Sequence, residues 1–142
     1  MSASPSTLRL LVYAARYTGE RLAEDLRDIT ERSTRNNARD GITGILLVDR
    51  GTFVQALEGP PEAIDRLIHR IEADPRAGTL EVLIDTTARD RSLWDWTLRT
   101  ARVDTDPEID SATLHRFRDA YLGGFRPDAS GFIELLQGMM RR

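Results

Sequence analysis

The 142-residue chain contains no cysteine, so it has no disulfide framework, no thiolate nucleophile and no Cys-based zinc site, and a reducing, cytoplasmic location is the default expectation. All 20 of its basic residues are arginine, which removes Schiff-base lysines and Lys-anchored phosphate loops. Its two histidines, His69 and His115, stand far apart without ligand-type neighbours at metal spacing; neither a metal nor a histidine triad is expected. A net charge of -3 argues against nucleic acid as a partner, because phosphate neutralisation needs a dense basic face. No apolar run approaches the ~20 residues that span a bilayer, and Met1 to Thr7 is a short polar leader without a signal-peptide core. No membrane association is expected.

With 40% hydrophobic residues, the chain has enough apolar surface to build one core without a metal or a disulfide. Leu8 to Ala15 reads as a strand ending at Arg16-Tyr17-Thr18-Gly19. From Glu20 to about Asn37, Leu22, Leu26 and Ile29 recur at helical spacing, with Thr18 as candidate cap and Asp40-Gly41 as stop. Ile42 to Val48 and Thr52 to Leu57 are β-type runs joined by Asp49-Arg50-Gly51, an antiparallel hairpin. Pro60-Pro61 opens a second helix, in which Ala63, Leu67, Ile68 and Ile71 keep helical period up to Asp74-Pro75. Leu80 to Ile84 and Leu98 to Val103 add two strands, and short helices are predicted around Ser111 to Leu122 and Ser130 to Met140. The order matches the split βαβ arrangement: an α+β, ferredoxin-like βαββαβ sandwich with an added fifth strand and two short C-terminal helices, both main helices covering one sheet face.

Polar residues fall where a core is expected. Strand alternation puts Phe53, Gln55 and Leu57 on one face, so the Gln55 amide sits between large apolar neighbours. Unpartnered burial of an amide costs a few kcal/mol, so either it is hydrogen-bonded or the strand turns it to solvent. Ile29, Ser33 and Asn37 lie along one helical stripe with Asn36 beside its end. Such a stripe can hold a flat heteroaromatic ligand by its face and polar edge; equally, Asn36-Asn37 can simply end the helix. Tyr13 closes the apolar run of the first strand, which is expected to lie parallel to and beside the Phe53 to Leu57 strand, bringing Tyr13 and Gln55 together, as a structural hydrogen bond or as something more. Trp94 and Trp96 read as core or interface anchors, or as electron donors.

Taken together, Leu11-Val12-Tyr13, Arg35-Asn36-Asn37-Ala38-Arg39-Asp40-Gly41-Ile42-Thr43-Gly44-Ile45-Leu46-Leu47, Phe53-Val54-Gln55-Ala56-Leu57-Glu58-Gly59, Ala73-Asp74-Pro75-Arg76 and Asp95-Trp96 resemble the BLUF family of flavin-binding blue-light sensors. The resemblance covers about Leu8 to Arg102. It implies FAD held non-covalently between the two helices of a domain spanning residues 8–103, with residues 104–142 as a helical extension packed on it. It makes Tyr13 the electron and proton donor to the excited flavin and Gln55 the amide that rearranges its hydrogen bonds. Asn37 matches the asparagine at the flavin ring's carbonyl and imide edge, with Asn36 its variable neighbour, and Ile29, Ser33, Leu46 and Phe53 match pocket-lining positions. Trp96 matches a signal-relay tryptophan, while Leu98 stands where methionine is common; leucine packs but accepts no hydrogen bond. Ala15 stands where small hydroxyl residues are common.

The resemblance implies a photoreceptor, not an enzyme, that signals by protein contacts to an unidentified downstream protein. A homo-oligomer is expected because Phe117, Tyr121, Phe132, Leu135 and Leu136 need cover, from a second copy or from the sheet's open face. The rival readings are a flavin-free interaction module derived from the same family and an acylphosphatase-like hydrolase using Arg39 or Arg16 as an anion cradle.

Overall fold

In β1 (Leu8–Arg16) Leu10, Leu11, Val12 and Tyr13 are all buried, a continuous run rather than an alternating one. That pattern belongs to a strand covered on both faces. The computed structural model describes residues 7–49, 51–89 and 99–102. After β1 come α1 (Leu22–Asp40), β2 (Thr43–Asp49), β3 (Thr52–Gly59), α2 (Pro61–Glu72), β4 (Glu81–Ala88) and β5 (Arg99–Arg102). The sheet order is β4-β1-β3-β2-β5. The first four strands pair antiparallel, and β5 runs parallel to β2. This is the ferredoxin-like α+β fold with its added fifth strand. The two predicted C-terminal helices lie outside the described residues, as do Trp94, Trp96 and Leu98.

One expectation is corrected. β1 and β3 are antiparallel neighbours, not parallel ones. The crossover through α1 makes β1 and β2 co-directional, and β3, hairpinned onto β2, enters the gap between them in the opposite sense. Tyr13 still meets Gln55, directly across the ladder, and Gln55 in turn faces Leu46 of β2.

α1 stops at Gly41, whose φ of 74° is left-handed and whose N–H caps the Asn37 carbonyl. The helix therefore runs past Asn36-Asn37, which does not end it. Thr18 is not its cap: Arg21 occupies that position, and the Thr18 hydroxyl donates to the Pro75 carbonyl at 2.6 Å. α2 begins at the predicted Pro60-Pro61.

Both helices cover one sheet face. Ala63, Ile64 and Leu67 of α2 pack with Leu11, Tyr13, Ala15 and Leu57, while Leu26 of α1, flanked by Leu22 and Ile29, packs with Leu46, Val48 and Phe53. The core on this face is thus two clusters, one under each helix, with Tyr13 in the α2 cluster facing Gln55 across the ladder.

Candidate functional site

Between the two clusters lies a cleft of ≈ 180 Å³. Its floor is the Tyr13, Gln55 and Leu46 row, one residue from each of β1, β3 and β2. Ile29, Ser33 and Asn36 of α1 form one wall, Leu67 and Ile71 of α2 the other, and Phe53 and Ala15 extend the floor. Apolar walls with a few inward polar groups suit a flat aromatic ligand.

Tyr13 and Gln55 are 3% and 4% exposed, and the phenol donates a hydrogen bond to Gln55 Oε1. The hydrogen-bonded alternative for Gln55 therefore holds over the solvent-facing one. Burial, reinforced by the negative charge of Asp74, pushes the Tyr13 phenol above its ordinary pKa, so it stays protonated. With Oε1 accepting from Tyr13, the NH2 end is what Gln55 has to offer another acceptor.

The cleft brings together seven of the residues singled out in the sequence: Tyr13, Ile29, Ser33, Asn36, Leu46, Phe53 and Gln55. Asn37 is fully buried in α1 and is not among the lining residues. Four residues at the rim were given no site role from the sequence: Arg32, Arg70, and Asp74 and Arg76 of the Ala73-Asp74-Pro75-Arg76 block. Arg76 is the hub. Its guanidinium donates to Asp74 at 2.8 and 3.0 Å, to Asp28 at 2.9 Å and to Asp25 at 3.5 Å. Arg76 in turn holds the Asp74 carboxyl below the usual carboxylate range. The signal was present in the Ala73-Asp74-Pro75-Arg76 block, where an acid and a base two residues apart follow a helix end. Of the arginines suggested for an anion cradle, Arg39 is paired with Asp40 at 3.0 Å and Arg16 is exposed; neither lines this cleft.

Residues 8–99 match the family described as sensors of blue-light using FAD, BLUF. The chain belongs to the BLUF family. BLUF relatives include the photoactivated adenylate cyclase subunit beta-like protein FB of Euglena gracilis, 37% identical over 97 residues that make up 68% of this chain and 11% of that protein. This BLUF chain thus spans about a tenth of the length of the curated relatives it matches. Among solved structures, BlrB, a BLUF protein in its dark state, superposes with a TM-score of 0.68 at 31% identity, over 83% of this chain and 99% of that one. A bacterial light-regulated adenylyl cyclase gives a TM-score of 0.71 at 29% identity, over 82% of this chain and 34% of that one. The BLUF family consists of sensors of blue light using FAD, and a cleft with apolar walls and a phenol and a carboxamide on its floor fits a flavin ring. Among the described residues, no group of His, Asp and Glu is placed to hold a metal ion, and no helix is long and apolar enough to cross a membrane.

Proposed function

We propose that this chain binds FAD non-covalently in the cleft between α1 and α2 and converts blue light into a changed hydrogen-bond pattern at Gln55, read out through protein contacts. The observation that carries this reading is the buried hydrogen bond from Tyr13 to Gln55 on the cleft floor. When bound, the flavin supplies the blue-light absorption and a photo-excited electron acceptor.

The chain's residues do the rest. Tyr13 would give its electron to that acceptor and release its phenolic proton along the hydrogen bond onto Gln55 Oε1. Gln55 receives that proton's hydrogen bond on Oε1 and, by rotation or tautomerisation, exchanges which end of its amide faces the ligand. Ile29, Leu46 and Phe53 would hold the ring by its apolar faces and keep water out, which would strengthen the polar contacts inside. Ser33 and Asn36 would offer hydroxyl and amide groups from the helix side, while Asn37, buried one residue further along α1, would be the partner of the ring's carbonyl and imide edge that the family resemblance implies. At the rim Arg76 is taken up by Asp74, Asp28 and Asp25, so Arg32 and Arg70, each exposed and paired with one carboxylate at 3.2 and 3.6 Å, are the arginines that would turn to the phosphates of a dinucleotide tail.

Trp96 and Leu98 would relay the change toward residues 104–142, and from there to a second copy of the chain or a downstream protein. The light-sensing step needs no enzymatic activity of this domain, and a reducing cytoplasm suits a chain without cysteine. Several relatives carry cyclase in their names, which supports an effector as the receiving partner. The test is flavin uptake by the purified chain: FAD, FMN and riboflavin are each titrated while the quenching of ligand fluorescence is followed. FAD binding tightest supports the rim arginines as its phosphate contacts; no uptake of any flavin overturns the reading.

A further inference from the structure

Beside the cleft stands a second tyrosine that the Tyr13 and Gln55 chemistry does not use. Tyr17 leaves the end of β1 with its ring centroid 5.5 Å from that of Phe53 and the ring planes tilted by 30°. Phe53 is buried and lines the cleft, so Tyr17 is one aromatic ring removed from whatever occupies it. The Tyr17 hydroxyl donates to Asp25 Oδ2 and accepts from the Arg21 backbone N–H at 3.0 Å. Asp25 is also ion-paired with Arg76 at 3.5 Å. Gly19 is shaped to this pair: a Cβ there would collide with the Tyr17 hydroxyl and with Asp25 Oδ2.

We infer that Tyr17 is a second, proton-coupled electron donor to the excited flavin, with Asp25 as its proton acceptor. The inference rests on the flavin lying in the cleft as proposed above. In the step, Tyr17 loses one electron, which passes by way of the Phe53 ring and reduces the flavin by one electron. The Tyr17 O–H bond breaks, and its proton forms a new O–H bond on Asp25, leaving a neutral tyrosyl radical. Return of the electron to Tyr17 and of the proton from Asp25 restores the starting state. A phenol oxidised without a base becomes a strongly acidic cation, so the paired carboxylate is what makes Tyr17 a usable donor.

Tyr13 lines the cleft directly and is the faster donor; Tyr17 takes over when the Tyr13 phenol is removed. Its proton goes to Asp25 and never to Gln55, so this route quenches the excited state without switching the amide. Quenching and signalling thereby become separable in this chain.

The experiment uses the full chain as wild type, Tyr13→Phe, Tyr17→Phe and the double variant, each reconstituted with FAD and first checked for bound-flavin absorption. Flavin fluorescence lifetimes and light-induced electron paramagnetic resonance are then recorded. The double variant is expected to have a flavin lifetime severalfold longer than Tyr13→Phe alone. Illuminated Tyr13→Phe is expected to show a neutral tyrosyl radical that the double variant lacks. Asp25→Asn in the Tyr13→Phe background leaves the Tyr17 ring in place and is expected to lengthen the lifetime as well. In the flavin-free chain, Asp25→Asn is expected to lower the pH at which a phenol titrates in the ultraviolet. Bound flavin with equal lifetimes in single and double variants overturns the role of Tyr17 alone. A chain that takes up no flavin overturns the cleft reading and, with it, this donor.

Discussion

Tyr13 and Gln55 face each other across the β1–β3 ladder, and the phenol donates to the carboxamide oxygen where both side chains are buried. The bond fixes which end of an asymmetric amide is already committed before any light arrives. Gln55→Leu removes both ends while keeping a comparable apolar volume between Phe53 and Leu57. The variant is expected to keep its flavin and lose the reversible spectral shift, as checked by light and dark absorption spectra of equal protein. Tyr13→Phe is expected to keep the flavin too and to lose the same shift.

The buried phenol also gives the fold a specific alkaline weakness. Burial first, and the charge of Asp74 second, hold the Tyr13 pKa above its ordinary value. A raised folded-state pKa means that the stabilisation is fully present below the unfolded phenol value of about 10 and is lost as pH rises beyond it toward the folded value. The chain has no lysine, so few other groups titrate in that window. Urea midpoints are expected to fall between about pH 9 and pH 11, and Tyr13→Phe is expected to flatten that decline.

Asn36 lines the cleft, whereas Asn37 is wholly buried one residue further along α1. If Asn37 holds the ring edge, Asn37→Ala weakens flavin binding about tenfold or more, the cost of a lost buried partner. Asn36→Ala is expected to have the smaller effect, since its side chain is partly exposed. Parallel flavin titrations of the two variants decide between these neighbouring amides.

Gly44 of β2 faces Leu57 of β3. A Cβ there would lie 2.6 Å from the Ala56 carbonyl oxygen and 3.0 Å from a Leu57 methyl group. The strands must part to admit it, so Gly44→Ala is expected to cost about 1–3 kcal/mol, read as a lower urea midpoint with an unchanged slope.

Much of this was legible in the sequence because it is local. Gly41 had to end α1, since its left-handed φ suits glycine, and Pro60-Pro61 opens α2 for the equally local reason that proline tolerates a first turn. Gln55 announced itself as an amide between Phe53 and Leu57. The direction of β1 against β3 was not legible residue by residue, because it is set by how the α1 crossover places β2. Thr18 looked like a helix cap, but the Pro75 carbonyl, 57 positions away, claimed its hydroxyl. The rim arginines were hidden for a different reason: in a chain with 20 arginines, only the fold reveals that Arg32, Arg70 and Arg76 converge on one cleft.

Blue light is expected to reverse the bonding of Gln55 beside a flavin, and the decisive measurement is a light-minus-dark absorption spectrum of the FAD-loaded chain, followed through recovery in darkness. The flavin band is expected to shift to the red, to return fully in the dark and to stay in place in Gln55→Leu. A flavin-loaded chain whose spectrum does not move, or a Gln55→Leu variant that cycles like the wild type, would contradict a light-driven switch at Gln55.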